Sequence, residues 1–362
     1  MAIFDKIKET TGLGIVLFLM ALLIPVAIVL DLSHGSPILI FALAVIGIIP
    51  LAGMIGTATE SLSEKVGERL GGLLNATLGN AAELIISIAA LRAGLTTLVL
   101  ASIAGSILGN ILLVLGFSLL LGGLKNGRQT FSRKTANIDA TLLILAVVAL
   151  GIPSFFNWTL EPDFTSVEGV SIGASLVMLV MYALTIVYSF TSQEKESEKD
   201  PMTREAHTPV HWGTTHAVII LIIAVAFIAY LSEALVHAVE PVTHELGLSE
   251  FFLGIILIPL VGNVAEHLVA VQVALKNKMD LSLSIAIGSS IQIALFVAPL
   301  LVLLSIPLGN PMALEFDQFE TAAIAGASFI AAFVSLDGES IWLEGAMLLM
   351  VYLILGIGFF FL

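Results

Sequence analysis

Eleven apolar stretches run through the chain, at roughly 13–30, 37–57, 70–92, 96–122, 135–153, 167–190, 212–235, 251–275, 281–305, 318–336 and 340–361. A helix needs about 20 apolar residues to cross a bilayer, because hydrocarbon offers nothing to its backbone polar groups. The runs are too continuously apolar for a β-barrel, whose strands alternate lipid-facing and lumen-facing residues. Composition agrees: 58% of residues are hydrophobic and 12% charged, about half the charged share of a soluble domain. Acids outnumber bases 28 to 14, which excludes a nucleic-acid binder. With no cysteine there is no disulfide framework and no thiolate metal site. The expected class is an all-α polytopic membrane protein of about 11 transmembrane helices, with the lipid bilayer as its partner. The first run lacks a small-residue cleavage site and reads as a retained span.

Orientation follows from the bases, which concentrate on the cytoplasmic side. With the N-terminus inside, 13 of the 14 Lys and Arg residues fall in cytoplasmic segments and only Arg92 falls outside. The N-terminus is therefore expected in the cytoplasm and the C-terminus outside. The absence of long tails suits a prokaryotic cell membrane. Residues 191–211 hold five acids and three bases with almost no apolar side chains, and read as a polar cytoplasmic linker.

The linker separates two related halves. Gly79-Asn80-Ala81-Ala82-Glu83 matches Gly262-Asn263-Val264-Ala265-Glu266, and at the same offset of 183 residues Gly105-Ser106 matches Gly288-Ser289. The matched spans are the third and fourth against the eighth and ninth. An offset of five spans turns the second copy upside down, as in alternating-access transporters. The expected organisation is an extra N-terminal helix (1–36), a first five-helix repeat (37–190), the linker (191–211) and a second, inverted five-helix repeat (212–362).

Glu83 and Glu266 lie near the middle of their spans, where a charge is costly even on lenient scales, at about 2.5–3.5 kcal/mol. No Lys or Arg lies at comparable depth, so each glutamate needs a proton or a bound cation. A protonated pair serving as interhelical glue is the bland alternative. Asn80 and Asn263 sit three residues before the glutamates, on the same helical face. Ser106 and Asn110 share a face of the fourth span, and Ser289 and Gln292 a face of the ninth. All carry oxygen, the donor that calcium prefers. The neighbouring glycines permit either close helix packing or broken helices.

The GNAAE and GNVAE motifs, each followed by a GS-containing span, resemble those of the calcium/proton exchangers (CAX family) of the calcium/cation antiporter superfamily. The resemblance covers the second to eleventh spans. It implies exchange of calcium for protons, with Glu83 and Glu266 as the essential, proton-coupling glutamates. Asn80, Asn263, Ser106, Ser289 and Gln292 match the supporting polar positions. Asn110 has no repeat equivalent, because Ile293 occupies the corresponding place.

Calcium and protons are then transported substrates competing for one midplane pair, and no cofactor, nucleic acid or obligate protein partner is implied. Sodium-coupled exchange on the same architecture is the main alternative, and a passive cation channel a weaker one. An enzyme is not expected, since no HExxH motif, GxGD-type aspartate or cysteine nucleophile is present. Glu60 and Glu233, at roughly equivalent ends of paired spans, offer an ion or proton pathway or simple interfacial solvation. His267, beside Glu266, points about 100° away from it on a helix, which favours packing or hydrogen bonding over direct proton relay.

Overall fold

The computed structural model describes residues 12–66, 68–160, 163–196 and 212–362. The first apolar run forms α1 (Gly12–Ala21) and α2 (Ile24–Leu32), the latter restarted by a proline in its first turn, where the missing N–H costs nothing. Next come α3 (Pro37–Val66), α4 (Glu68–Leu78) and α5 (Ala81–Arg92). Helix α6 (Thr96–Leu108) passes through a π-helical segment, Gly109–Val114, into α7 (Leu115–Asn126). Helices α8 (Arg133–Leu160) and α9 (Phe164–Glu196) complete the first half.

In the second half α10 (Thr214–Leu246) precedes the short α11 (Glu250–Phe252). A second π segment, Leu253–Leu257, leads into α12 (Ile258–Leu275). Helix α13 (Met279–Gln292) passes through a third, Ile293–Val297, into α14 (Ala298–Ser305). Helices α15 (Gln318–Ser335) and α16 (Trp342–Phe360) follow. The expected linker begins inside α9, and residues 197–211 lie outside the described residues, as do Lys6 and Lys8.

Among the described residues, nine helices are long and apolar enough to cross a membrane, and one bent pair brings the number to ten. The stretch expected as the third span, 70–92, is two helices, α4 and α5, parted at Gly79–Asn80. Asn80 leaves the helical region at φ −102°, ψ 27°, and its side chain caps nothing. At the corresponding place in the second half, the helix is bent by 64° between Val264 and Glu266. Both glutamate motifs therefore sit where a helix is broken or bent.

Small residues let the core helices approach closely. An added Cβ at Gly105 of α6 would overlap the Ile255 carbonyl oxygen, and one at Gly254 would lie 2.8 Å from Ala101 Cβ. Helix α3 packs along α10 and against α12, while α10 also packs against α5. Helix α2 lies at the periphery with Val29 and Leu32 exposed, and Tyr230 Oη donates to its Asp31 at 2.7 Å.

Each end of the bundle is tied by an ion pair between the two halves. At one, a short antiparallel ribbon joins Gln129–Thr130 to Glu339–Ser340, Arg128 pairs with Glu339 at 3.0 Å, and Ser132 N–H donates to Asp280 at 2.6 Å. At the other, Arg92 pairs with Glu233 at 2.8 Å, and Leu98 N–H donates to Glu250 at 3.1 Å.

Candidate ion-exchange site

The break before α5 and the bend in α12 bring the two motifs face to face, each glutamate resting over the glycine of the other motif. A Cβ built on Gly262 would lie 3.0 Å from Glu83 Cγ and 3.2 Å from its Oε1. One built on Gly79 would lie 3.5 Å from Glu266 Oε1 and 3.8 Å from Gln292 Oε1. Gly262 thus makes room for the opposing carboxylate, while the nearest atom to a Cβ on Gly79 is the Asn75 carbonyl oxygen at 2.7 Å. The charges of the two carboxylates act on each other.

Polar side chains link the halves around the pair. Asn80 Nδ2 donates to Gln292 Oε1 at 2.7 Å, and Ser289 Oγ donates to Asn80 Oδ1 at 3.2 Å. In the other direction Asn263 Nδ2 donates to Ser106 Oγ at 3.3 Å. Ser289 also hydrogen-bonds Glu266. The Asn–Ser pairing therefore recurs at the 183-residue offset, but its third partner does not. Gly109 stands where the offset would place a second Gln292, and Asn263 Oδ1 has no partner.

Three oxygens in this cluster, Glu83 Oε2, Glu266 Oε2 and Asn263 Oδ1, are buried with no hydrogen-bond partner. Buried polar atoms are seldom left so, and three acceptors without donors are what a cation would satisfy. Among the described residues no group of three or more His, Cys, Asp or Glu could hold a metal ion. The amide and hydroxyl oxygens must complete any donor set. Glu83 is 4% exposed, whereas Glu266 and Gln292 are half-buried.

Of the expected site residues, Glu83, Glu266, Asn80, Asn263, Ser106, Ser289 and Gln292 come together. Asn110 is the second residue of the first π segment, and its Oδ1 meets His267 Nε2 at 3.2 Å, so His267 has a hydrogen-bonding role. Glu60 is exposed on α3, and Glu233 is held by Arg92. Sequence reading missed the seating of each carboxylate on the opposite glycine, although the shared first residue of the motifs was its signal.

The family described as sodium/calcium exchanger protein matches the chain twice, over residues 36–191 and 216–361. The Ca2+/H+ antiporter of Aphanothece halophytica is 41% identical over 98% of this chain and 97% of that protein. The Ca2+/H+ antiporter ChaA of Bacillus subtilis (strain 168) is 44% identical over 94% of this chain and 97% of that one. The solved structure of native YfkE is similar at TM-score 0.84 and 42% identity, covering 96% of this chain and 100% of that one. The chain is a polytopic integral membrane protein that belongs to the sodium/calcium exchanger protein family, on its calcium/proton exchanger (CAX) branch.

Proposed function

We propose that this protein is a secondary active antiporter that exchanges calcium for protons by alternating access, with both substrates competing for Glu83 and Glu266. The observation that carries this reading is the facing glutamate pair with one unpartnered oxygen on each carboxylate and a third on Asn263. Two ionised carboxylates in a low-dielectric site repel each other and are costly to desolvate, so the pair favours a divalent cation or protons over standing empty. Asn80, Asn263, Ser106, Ser289 and Gln292 surround it with neutral oxygen, the chemistry of a calcium site. Asn110 stands one step further out, through His267. That relatives more than 40% identical over nearly the full length are Ca2+/H+ antiporters supports the substrates.

The same reading includes two inverted five-helix repeats after one extra N-terminal helix, with eleven crossings when α4 and α5 count as one broken span. The double family match and the recurrence of the Asn–Ser pairing support it. The end carrying Arg128, Arg133 and Lys276 is cytoplasmic, and the end carrying Arg92 and Glu233 is external. Glu60 and Glu233 then mark the approaches to the pair from opposite sides.

In proteoliposomes, an imposed pH gradient should drive calcium accumulation. Glu83→Gln and Glu266→Gln should each reduce it at least about 100-fold, as loss of half a charged site demands. Full flux in either variant would reject the site. Accumulation driven by sodium and not by protons would replace the proposal with sodium-coupled exchange, and calcium entry without concentration would indicate a channel.

A further inference from the structure

The two glutamate-bearing helices end in the same way. After α5, Gly94 N–H donates to Leu91 O at 3.0 Å and Leu95 N–H to Ala90 O at 3.0 Å. After α12, Asn277 N–H donates to Ala274 O at 2.9 Å and Lys278 N–H to Val273 O at 3.0 Å. Every member of one set is 183 residues from its counterpart. Gly94 and Asn277 both take left-handed φ, at +79° and +59°, which closes a helix with a tight terminal turn.

Each end is then capped by a side-chain amide from the other half of the chain. Asn310 Nδ2 donates to Leu91 O at 2.8 Å and to Arg92 O at 3.4 Å. Asn126 Nδ2 donates to Ala274 O at 3.2 Å and to Leu275 O at 3.4 Å. Gln129 Nε2 adds a 2.9 Å bond to Ala274 O. Last-turn carbonyls lack partners within their own helix, so these amides fix where the helix ends.

Leu91 and Ala274 each lie eight residues beyond a glutamate, about 12 Å along a helix. On its other side each glutamate is tied sideways by its motif asparagine, Asn80 to Gln292 and Ser289 and Asn263 to Ser106, and not by a straight continuous helix. Helix α5 is severed from α4 at Gly79–Asn80, and the segment beginning at Glu266 is bent away from the one ending at Val264. The capped end is thus a second anchor for the height of each carboxylate, at the opposite end of its helix from the motif asparagine. We propose that Asn310, and Asn126 together with Gln129, are positioning residues of the exchange site, holding Glu83 and Glu266 at a common level from opposite ends of the bundle. The inference rests on the glutamate pair being the ion site.

Asn310→Asp keeps the shape and removes the amide donor, whereas Asn310→Gln keeps the amide. With exchange driven by a pH gradient in proteoliposomes, Asn310→Asp should raise the half-saturating calcium concentration about fivefold, the effect of one lost hydrogen bond. Its maximal rate should stay within about twofold of the parent, because the carboxylates themselves remain in place. Asn310→Gln should recover most of the affinity. Asn126→Asp should shift half-saturation less, because Gln129 still serves Ala274, and adding Gln129→Met should bring the shift to that of Asn310→Asp.

An unchanged half-saturation in Asn310→Asp overturns the inference. So does a lower maximal rate at unchanged half-saturation in both Asn310 variants, which is what a merely structural tie would give. If Asn310→Asp does not assemble, Asn310→Ser replaces it, read by the thermal shift that calcium induces; a parental shift there also overturns the inference. Glu83→Gln is measured alongside. Parental exchange in that variant means the site reading has failed. An inactive Glu83→Gln with an unaltered Asn310→Asp means that only the positioning has.

Discussion

At the scale of single residues, the site is built by what is left out as much as by what is present. Gly262 leads the second motif because the Glu83 carboxylate occupies the space of a side chain, whereas at Gly79 a side chain would meet the Asn75 carbonyl oxygen first, at 2.7 Å. At Gly262 a Cβ would lie 3.0 Å from Glu83 Cγ and 3.1 Å from Cδ, tighter than ordinary van der Waals contact, so Gly262→Ala must displace the carboxylate by a few tenths of an ångström. The expected outcome is a half-saturating calcium concentration raised about fivefold, equivalent to about 1 kcal/mol of strain. Calcium titration of exchange rates checks it. The parental value in a well-assembled variant would mean that Glu83 does not rest on Gly262 during transport.

At the scale of elements, equivalent glycines differ in what surrounds them. Gly105 and Gly288 stand 183 residues apart in matching GS pairs. A Cβ at Gly105 would run into the Ile255 backbone, while one at Gly288 would meet nothing within 4 Å. Gly105→Ala should therefore lower the thermal unfolding midpoint, by the about 1–3 kcal/mol that overpacking costs, and Gly288→Ala should leave it unchanged; melting curves of the two purified variants decide. The apolar runs made most of the helices legible, because lipid demands long uninterrupted apolar helices. Hydropathy reports composition and not hydrogen-bond register, so the three π segments were invisible to it, as was the break at Gly79–Asn80. The oxygen-bearing ring was legible because polar residues at midplane depth need a reason. The Asn310, Asn126 and Gln129 amides were not, since they lie in a loop, at a helix end and in a short ribbon, near the ends of the bundle, where polar residues are commonplace. The His267–Asn110 pair was legible only in kind.

At the scale of the whole molecule, many of the largest exposed side chains are apolar, among them Val177, Phe333, Ile354 and Phe361. That is the reverse of a water-soluble surface and fits a bundle solvated by lipid. The proposed topology can be read on intact cells because the chain has no cysteine. A single cysteine in place of Asn310 should react with a membrane-impermeant thiol reagent from outside, and one in place of Arg128 only after permeabilisation. The opposite pattern would invert the orientation and with it the assignment of the Arg92–Glu233 end to the exterior. The near-symmetry of the ion site has a further consequence, set by the place where it fails. Asn80 is held by both Ser289 and Gln292, while the Asn263 carbonyl has no partner, glycine standing at position 109, the offset equivalent of Gln292. The two half-sites are thus chemically lopsided. On the proposed alternating-access mechanism a cation arriving from one face would meet a different first donor from one arriving at the other, and such an exchanger should behave as a partial rectifier. Its final gradients obey the driving ions alone, but its rates at equal and opposite gradients do not match.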